Sequence, residues 1–315
     1  MCRERCALTV ECGLNWRLGE LVWSRRVLAA ARGGASVNDL LVTDLDGTLL
    51  RSDATLSEYA TTILTHAVSA GVPLTYATAR SLYRARAVVG AVPFRLPAIV
   101  YNGAFVVRLD TGEPLISNLL DSIIAEAVLR KARGLGLVPF VSGFEDNREV
   151  KLHCAPQNAA QEAFLSQHFP DGEDPHLVAV DQIVLPAQVV NLHFVARAQE
   201  LTGLAEWVDR NLRAKVSSPL YDDVYSAGFA HLEVAHPRAN KQSMLIWLAE
   251  HLGVDLRSVT VFGDGQNDLP MFEVAGRRIA VANGHPSVCH SADCIVSSND
   301  NDGVPRFLES LLPRE

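Results

Sequence analysis

The sequence predicts an α/β fold, a doubly wound parallel sheet into which an α+β domain is inserted. Short apolar strands alternate with helices near both ends of the chain, and this alternation is typical of a parallel sheet with helices on both faces. The stretch between about residues 118 and 235 loses the alternation and mixes helices with extended segments. Polar residues follow several of the apolar runs, at the strand ends where ligands bind in such sheets.

The first half of the predicted sheet opens with Leu40–Leu50, LLVTDLDGTLL, whose apolar lead-in is typical of a strand buried on both faces. A helix follows, with Thr55 and Glu58 at capping-box spacing and Gly71 at its end. Asn102–Gly103 marks a turn after a later strand. The elements predicted in this half are helices at 55–71 and 81–90 and strands at 72–80 and 96–107.

The same alternation returns near the C-terminus, after the insert. The elements predicted there are helices at 241–253 and 269–276 and strands at 258–268, 277–284 and 294–298. Within the insert we predict helices at 121–136 and 200–212 and extended segments at 138–144, 148–154, 188–196 and 229–235. The resulting domains are a core at 38–117 and 236–315, an inserted α+β domain at 118–235, and a poorly ordered N-terminal extension at 1–37.

The overall charge argues against nucleic acid and anionic membranes as partners. The chain has 315 residues and a formal net charge of −8. Residues 1–36 carry six arginines and three glutamates, so the rest of the chain is more acidic than the total indicates. An acidic body repels polyanions, and a small anionic ligand would need a local device such as a metal ion or a helix N-terminus. No apolar run approaches the ~18 residues of a membrane span.

The cysteines predict free thiols and a cytoplasmic protein. The six residues are Cys2, Cys6, Cys12, Cys154, Cys289 and Cys294. None of them forms a CxxC pair, and the chain shows no secretory signal, so disulfides are not expected. A metal site made of the first three cysteines is conceivable but is the weaker interpretation.

Charged and hydroxyl side chains are expected to converge at one edge of the sheet. The polar residues at the predicted strand ends are Asp44, Asp46, Thr78, Asn102, Asp264, Asn267 and Asp268, and Lys241 begins the helix before the last of these strands. Two carboxylates ~4 Å apart repel by ~4 kcal/mol at an effective dielectric of 20, so the cluster needs a cation. Oxygen ligands without histidine or cysteine point to a hard ion, and Mg²⁺ is the expected one.

Four motifs in order carry a resemblance to a known family. DLDGT at 44–48, ATAR at 77–80, the Lys241 region and GDGQND at 263–268 resemble the four motifs of the haloacid dehalogenase superfamily of phosphatases. YNGA at 101–104 and NDNDGV near the C-terminus are similar to its Cof-type branch, whose members carry a large α/β cap between the second and third motifs. The resemblance covers residues 38–117 and 236–315 by motif, and the insert by length and position.

The resemblance implies a role for each of the catalytic groups. Asp44 would be the nucleophile that accepts the phosphoryl group, and Asp46 would protonate the leaving oxygen and then deprotonate the attacking water. Thr78 would bind the phosphate oxygens together with the backbone N–H of Ala79. Lys241 would stabilise the charge of the transition state.

The resemblance also implies the metal ligands and further substrate contacts. Mg²⁺ would be held by Asp44, the carbonyl oxygen of Asp46, and Asp264, with Asp268 binding through water or orienting the shell. Asn267 would contact a phosphate oxygen. The backbone of Leu45 lies beside the phosphate in relatives.

The sequence departs from the family pattern in two places and leaves some roles open. Ala79 stands where relatives have glycine, and Gln242 follows Lys241 where relatives usually have glycine; both could narrow the substrate range. Arg80 could contact phosphate or form a structural ion pair. In the insert, the residues that could face a substrate are Arg148, Lys151, His153 and His231, although ordinary surface is the expected place for each.

The function expected from these observations is Mg²⁺-dependent hydrolysis of a small phosphorylated metabolite, such as a sugar, nucleotide or cofactor phosphate, through an aspartyl-phosphate. A phosphotransferase or phosphomutase would use the same intermediate. A third alternative is a catalytically idle binding protein, which is disfavoured because all the polar groups are present. A dehalogenase is disfavoured because that chemistry lacks the second aspartate, Asp46.

Overall fold

The computed structural model describes residues 39–169, 174–222 and 227–312. The predicted N-terminal extension and its three cysteines lie outside these residues. The strands are β1 (Leu40–Thr43), β2 (Leu74–Tyr76), β3 (Ala98–Val100), β4 (Phe105–Val107), β5 (Pro114–Ser117), β6 (Phe140–Glu145), β7 (Arg148–His153), β8 (Leu177–Ala179), β9 (Gln188–Arg197), β10 (Leu220–Asp222), β11 (Phe229–Ala235), β12 (Val259–Gly263), β13 (Arg277–Val281) and β14 (Cys294–Val296). The helices are α1 (Glu58–Ser69), α2 (Leu82–Val89), α3 (Ser122–Arg133), α4 (Ala159–His168), α5 (Ala198–Leu212), α6 (Lys241–Leu252), α7 (Leu269–Val274), α8 (Pro286–Ser291) and α9 (Gly303–Leu311).

The core is a five-stranded sheet of order β14-β13-β12-β1-β2, and every strand pair in it is parallel. A single parallel bridge from Ala77 to Ile99 joins this sheet to the antiparallel β3-β4-β5 sheet. The strand order changes direction after β1, whose neighbours are β12 and β2. Ligands bind at such a point in open α/β sheets.

Helices cover both faces of the parallel sheet, because successive residues of a buried strand point to opposite faces. Leu41 packs in the cluster that includes residues of α1, α2 and α9. Leu40 and Val42 pack in the opposite cluster, with residues of α6, α7 and α8. The predicted fold class, a doubly wound parallel sheet, is confirmed.

A second sheet of six strands, ordered β10-β11-β9-β6-β7-β8, belongs to a separate layer that we call the cap. Its pairs are antiparallel except for β7 with β8. Apolar residues of α3 and α5 pack with Val141, Leu192 and Leu232 in one cluster. The cap region therefore has the predicted α+β composition, while the exact boundaries at 117/118 and 235/236 stay a prediction.

Several elements differ from the prediction in detail. Helix α1 begins at Glu58, and its N-cap is Ser57, whose side chain accepts from the backbone N–H of Ala60; the capping box at Thr55 was wrong. Gly253 closes α6 in the left-handed conformation (φ 68°), as its position predicts. The elements that the sequence did not predict are β5, β8, β10, α4, α8 and α9.

Among the described residues, no helix is both long and apolar enough to cross a membrane.

Candidate active site

Two neighbouring strands deliver the central carboxylates to the same edge of the sheet. Strand β1 ends immediately before Asp44, and β12 ends immediately before Asp264. The strands are parallel and in register, with Thr43 opposite Phe262, so the two aspartates leave the sheet side by side. This is the arrangement that the sequence predicts for the carboxyl ends of parallel strands.

Three carboxylates gather at this edge, from Asp44, Asp264 and Asp268. One oxygen from each lies within 4.8 Å of the other two. Asp268 is fully buried and oriented by the backbone, since its Oδ2 accepts from the N–H groups of Asp264 and Gly265, both at 3.0 Å. Three oxygen ligands, two of them from buried side chains and one from the half-buried Asp264, form a fitting site for a small divalent cation.

Lys241 lies between two of these carboxylates. Its Nζ is 2.8 Å from Oδ1 of Asp44 and 2.7 Å from Oδ1 of Asp268. The residue is only 2% exposed. Burial alone would lower the pKa of the ammonium, but the two aspartates outweigh this effect and raise the pKa above its ordinary value. Lys241 is therefore a fixed positive charge inside the acidic cluster.

One ammonium does not balance three carboxylates. Burial raises the pKa of Asp44 well above its usual range, and the charge of Asp268 adds to the effect, although Lys241 opposes it. Burial, with the charge of Asp268, also raises the pKa of Asp264 to about 7. Both shifts have the same physical cause, an excess of negative charge away from water, and a bound divalent cation would remove it.

The loop after β1 is shaped around Asp264. Gly47 has φ +73°, and a Cβ added there would lie 2.4 Å from Oδ2 of Asp264. The next residue, Thr48, donates its hydroxyl to Oδ1 of the same aspartate at 2.5 Å. Asn283 donates its amide to the carbonyl oxygen of Gly47 at 2.7 Å. Glycine is thus needed both for the left-handed turn and for the close approach of the carboxylate.

Asp46 stands apart from the three-carboxylate cluster. Its side chain is 47% exposed and forms a two-pronged ion pair with Arg80, with Nε to Oδ2 at 2.8 Å and Nη2 to Oδ1 at 2.6 Å. Of the two roles left open for Arg80, the structure therefore has the ion pair. The side chain of Asp46 is at the rim of the site, where it is accessible to a bound molecule.

The remaining predicted contacts surround this rim. Thr78 is fully buried beyond the end of β2, and its Oγ1 accepts from the N–H of Arg80 at 3.1 Å. Ala79 is exposed. The side chain of Leu45 is buried, and its carbonyl oxygen accepts from the backbone of Thr48.

Neither departure from the family pattern strains the backbone. Ala79 is not among the described residues with positive φ, so its conformation does not demand glycine. Gln242 lies in the first turn of α6, and its amide donates to Glu273 at 3.2 Å.

Contacts between the core and the cap join Tyr101 and the predicted Asn102 to two glutamates that sequence reasoning missed. Tyr101 donates its hydroxyl to Glu149 at 2.5 Å, and Asn102 donates its amide to Glu233 at 2.9 Å. Tyr101 and Asn102 both have positive φ, 51° and 55°. The turn signal at Asn102–Gly103 indicated this bend but not its partners. Asn267 is exposed, and its amide lies 3.5 Å from Oδ1 of Asn102.

The four candidate residues of the insert divide into two groups. Arg148 is exposed, as expected of ordinary surface. Lys151, His153 and His231 are instead half-buried. His231 is held in a stack with His193 and Tyr221.

Comparison with known proteins places the chain among phosphatase relatives. The family model of haloacid dehalogenase-like hydrolases matches residues 41–308. The chain is 30% identical over 274 residues to the HMP-PP phosphatase of Citrobacter koseri, which covers 85% of this chain and 94% of the relative. It is 28% identical over 282 residues to the 5-amino-6-(5-phospho-D-ribitylamino)uracil phosphatase YwtE of Bacillus subtilis, covering 85% of this chain and 96% of the relative.

The fold is also similar to that of solved structures. A haloacid dehalogenase-like hydrolase from Bacteroides thetaiotaomicron superposes with a TM-score of 0.71 at 24% identity, over 87% of this chain and 100% of that one.

Proposed function

Because the chain belongs to the haloacid dehalogenase-like hydrolases of the Cof type and is a hydrolase of phosphoric monoesters, we propose that it acts on a small phosphorylated metabolite, with Mg²⁺ and through an aspartyl-phosphate. The observation that carries the proposal is the group of the buried Asp44 and Asp268 and the half-buried Asp264, with Lys241 between Asp44 and Asp268. The names of the two curated relatives, which refer to small phosphorylated compounds, support the substrate class.

The residues fit a magnesium ion. Asp44 and Asp264 would hold it with the carbonyl oxygen of Asp46, and Asp268 would bind through water or orient the other ligands. A bound Mg²⁺ supplies positive charge that neutralises the phosphate and keeps the nucleophilic carboxylate ionised. The raised pKa values of Asp44 and Asp264 support this assignment, because a bound cation would stabilise both carboxylates in their ionised form.

The chain's own groups then divide the chemistry. A carboxylate oxygen of Asp44 attacks phosphorus and forms the acyl phosphate, while Asp46 donates a proton to the leaving oxygen. Asp46 next removes a proton from the water that attacks the acyl phosphate, and inorganic phosphate leaves. Thr78, the N–H of Ala79 and Asn267 bind phosphate oxygens, and Leu45 contributes its backbone. Lys241 stabilises the negative charge that develops during both steps.

Arg80 acts as a positioning residue in this scheme. Its guanidinium holds both oxygens of the ionised Asp46 at the rim, and Asp46 gives up one of these contacts when it carries the proton for the leaving oxygen. The exposure of Asp46, compared with the buried Asp44, supports the division into proton carrier and nucleophile. We further propose a cytoplasmic enzyme, because its described cysteines are free thiols. We propose that it has no nucleic-acid or membrane partners, because the chain is acidic.

The test combines phosphate release with detection of the covalent intermediate. The protein is incubated with a panel of sugar, nucleotide and cofactor phosphates in Mg²⁺ or in EDTA, with and without sugar acceptors. Acid-quenched mass spectrometry then searches the peptide with residues 40–50 for added phosphoryl mass. Asp44→Asn should give neither turnover nor label, whereas Asp46→Asn should turn over slowly and still label with a good leaving group. Asp209→Asn, on the exposed surface of the cap, is the matched control.

Two results would contradict the proposal. Label on Asp44→Asn protein, or on another peptide, would remove Asp44 as the nucleophile. Transfer of phosphate to added sugars in preference to water would replace the hydrolase by the phosphotransferase alternative.

A further inference from the structure

Two cations, one from the core and one from the cap, meet over the same aromatic ring. The guanidinium carbon of Arg84 lies 4.4 Å from the ring centre of Phe169, and Nζ of Lys151 lies 5.8 Å from the same centre. Lys151 Nζ is also 5.3 Å from the ring centre of Phe164. Arg84 belongs to α2 of the core and Lys151 to β7 of the cap. The two cations are near enough for the charge of Arg84 to act on Lys151, and like charges repel.

Among the described residues, no carboxylate forms an ion pair with the ammonium of Lys151. It makes no ion pair or side-chain hydrogen bond with any described residue, although it is half-buried. The nearby Glu149 accepts from Tyr101, and Glu233 accepts from Asn102 and from the amide of Asn191. These carboxylates are therefore occupied in joining the cap to the core.

Burial lowers the pKa of Lys151 to about 8, and the charge of Arg84 adds to the effect. The pKa of Arg84 is also lowered, by burial first and then by Arg80. The other charged groups that act on Lys151 are the carboxylates of Glu233, Glu149 and Asp174. These carboxylates oppose the lowering of the pKa but do not outweigh burial, which is its largest cause.

The pair lies beyond the phosphoryl site, along α2. Arg80 precedes this helix and holds Asp46, and Arg84 follows one turn later, close enough to Arg80 and Asp46 for their charges to affect it. Arg84 also reaches Asp174 of the cap, with Nε 3.8 Å from Oδ2. A substrate that extends from Asp44 past Asp46 along α2 would approach Arg84, and Lys151 contacts the same aromatic ring as Arg84.

The cap face beside Lys151 carries a second group without a partner. Ser142 of β6 pairs with Lys151 of β7 on one side and with Asn191 of β9 on the other, so the three side chains share one face of the sheet. Asn191 is 9% exposed, and its Oδ1 has no hydrogen-bond donor among the described residues. This face thus offers a cation and an acceptor on the two strands that flank β6.

We propose that Lys151 and Arg84 form a second anion-binding subsite, which takes an oxyanion at the far end of the substrate, either a carboxylate or a second phosphate. The subsite rests on the proposed function, because it selects among phosphate esters hydrolysed at Asp44. Lys151 supplies the charge from the cap, and Arg84 supplies it from the core, so an acidic substrate also joins the two layers. Asn191 Oδ1 would accept from a hydroxyl of the same substrate.

The test compares substrates that differ only in the second oxyanion. The pairs are 3-phosphoglycerate with glycerol 3-phosphate, and fructose 1,6-bisphosphate with fructose 6-phosphate, each measured as a ratio of kcat/KM values. Lys151→Met keeps the stem over the aromatic rings and removes the charge. Its ratio for at least one pair should fall by about ten- to hundredfold, the range of a hydrogen bond to a charged group. Lys151→Arg should retain most of the preference. Lys215→Met, an exposed lysine of the cap, should leave both ratios unchanged.

A binding experiment separates the subsite from the reaction. Phosphonocarboxylates with two to four carbons are titrated in Mg²⁺ against alkyl phosphonates of equal length, by calorimetry, on the unmodified protein and both methionine variants. If the enzyme turns over and Lys151→Met leaves the ratios of kcat/KM values within each substrate pair unchanged, the subsite is overturned and the proposed function stands. Absence of turnover, with a carboxylate preference in binding that Lys151→Met removes, would overturn the function and keep the subsite. The substrate pair whose ratio changes in Lys151→Met also shows whether the subsite binds a carboxylate or a second phosphate.

Discussion

Replacing Lys241 by methionine tests whether the acidic cluster is balanced by this one ammonium. Methionine has nearly the same length and no charge, so the packing of α6 is preserved. In the folded protein the change leaves Asp44 and Asp268 buried without the cation that lies 2.8 and 2.7 Å from them. Each of these contacts corresponds to an attraction of about 6 kcal/mol at an effective dielectric of 20, before the cost of burial is subtracted.

The net loss should be smaller than the sum of the attractions. Removal of one partner from a buried ion pair destabilises proteins by about 3–5 kcal/mol, because the remaining charge is left uncompensated. For a chain of this size each kcal/mol lowers Tm by about 2 °C, so a decrease of about 6–10 °C is expected in EDTA. The loss should be smaller at pH 5 than at pH 8, because protonation of the carboxylates relieves their repulsion.

Thermal unfolding followed by circular dichroism, in EDTA and in Mg²⁺, measures these effects. Added Mg²⁺ should recover part of the loss, because the ion supplies the missing positive charge. The Lys215→Met control should unfold within about 1 °C of the unmodified protein, since surface changes have small effects. A decrease below 2 °C in Lys241→Met, with no dependence on pH or Mg²⁺, would refute the view that Lys241 balances the cluster.

Three further changes probe the site with simpler measurements. Gly47→Ala should destabilise the protein by about 1–2 kcal/mol, because the backbone there is left-handed, and should also weaken Mg²⁺ binding by displacing the carboxylate of Asp264. The control is Gly71→Ala, at a position with φ +85° and open space around it, which should show the backbone cost alone. Urea and Mg²⁺ titrations of both variants measure the two effects. In EDTA, the free energy of unfolding should fall as pH rises from about 4 toward 7, because the folded protein keeps the proton of Asp264 up to about pH 7. The increase in Tm on adding Mg²⁺ should therefore be larger at pH 8 than at pH 6. An equal increase in Tm at both pH values would contradict this linkage. The preference for substrates with a second oxyanion should decline as pH rises from 7 to 9, because Lys151 loses its proton near pH 8. In steady-state kinetics on the matched substrate pairs, a ratio of kcat/KM values that stays constant over this pH range would contradict a role for Lys151.

The meeting of the strand ends in the core was predictable because a rule of sheet topology applies to them. Parallel neighbours end at the same edge, so an apolar run followed by Asp44 and another followed by Asp264 had to place these residues together if the strands were adjacent. The start of α1 shows the limit of such reasoning, since Ser57 and Thr55 both suit an N-cap and only the observed backbone decides between them.

The contacts of the cap with the core were not predictable, because no rule of strand order determines which residues of two separate sheets face each other. Glu149 meets Tyr101 and Glu233 meets Asn102 across the space between two sheets, and no periodicity in either segment encodes the meeting. The half-burial of Lys151 has the same origin. Its segment, REVKLHC, has the alternation of a strand with one solvent-facing side, and Phe164 and Phe169 cover that side from the following helix and its end.

Asp44 and Asp46 are two residues apart, so a regular strand would send both side chains to one face and give both carboxylates one environment. The chain prevents this by ending β1 at Thr43 and turning at Gly47. Asp44 stays buried against Lys241, while Asp46 reaches the rim and pairs with Arg80. A carboxylate without its proton is needed to attack phosphorus, and a carboxyl that exchanges a proton with the leaving oxygen and with water must be accessible to both. The turn therefore converts one repeated residue type into two chemical roles. A substitution that straightened the turn would lose both roles, even with both aspartates retained.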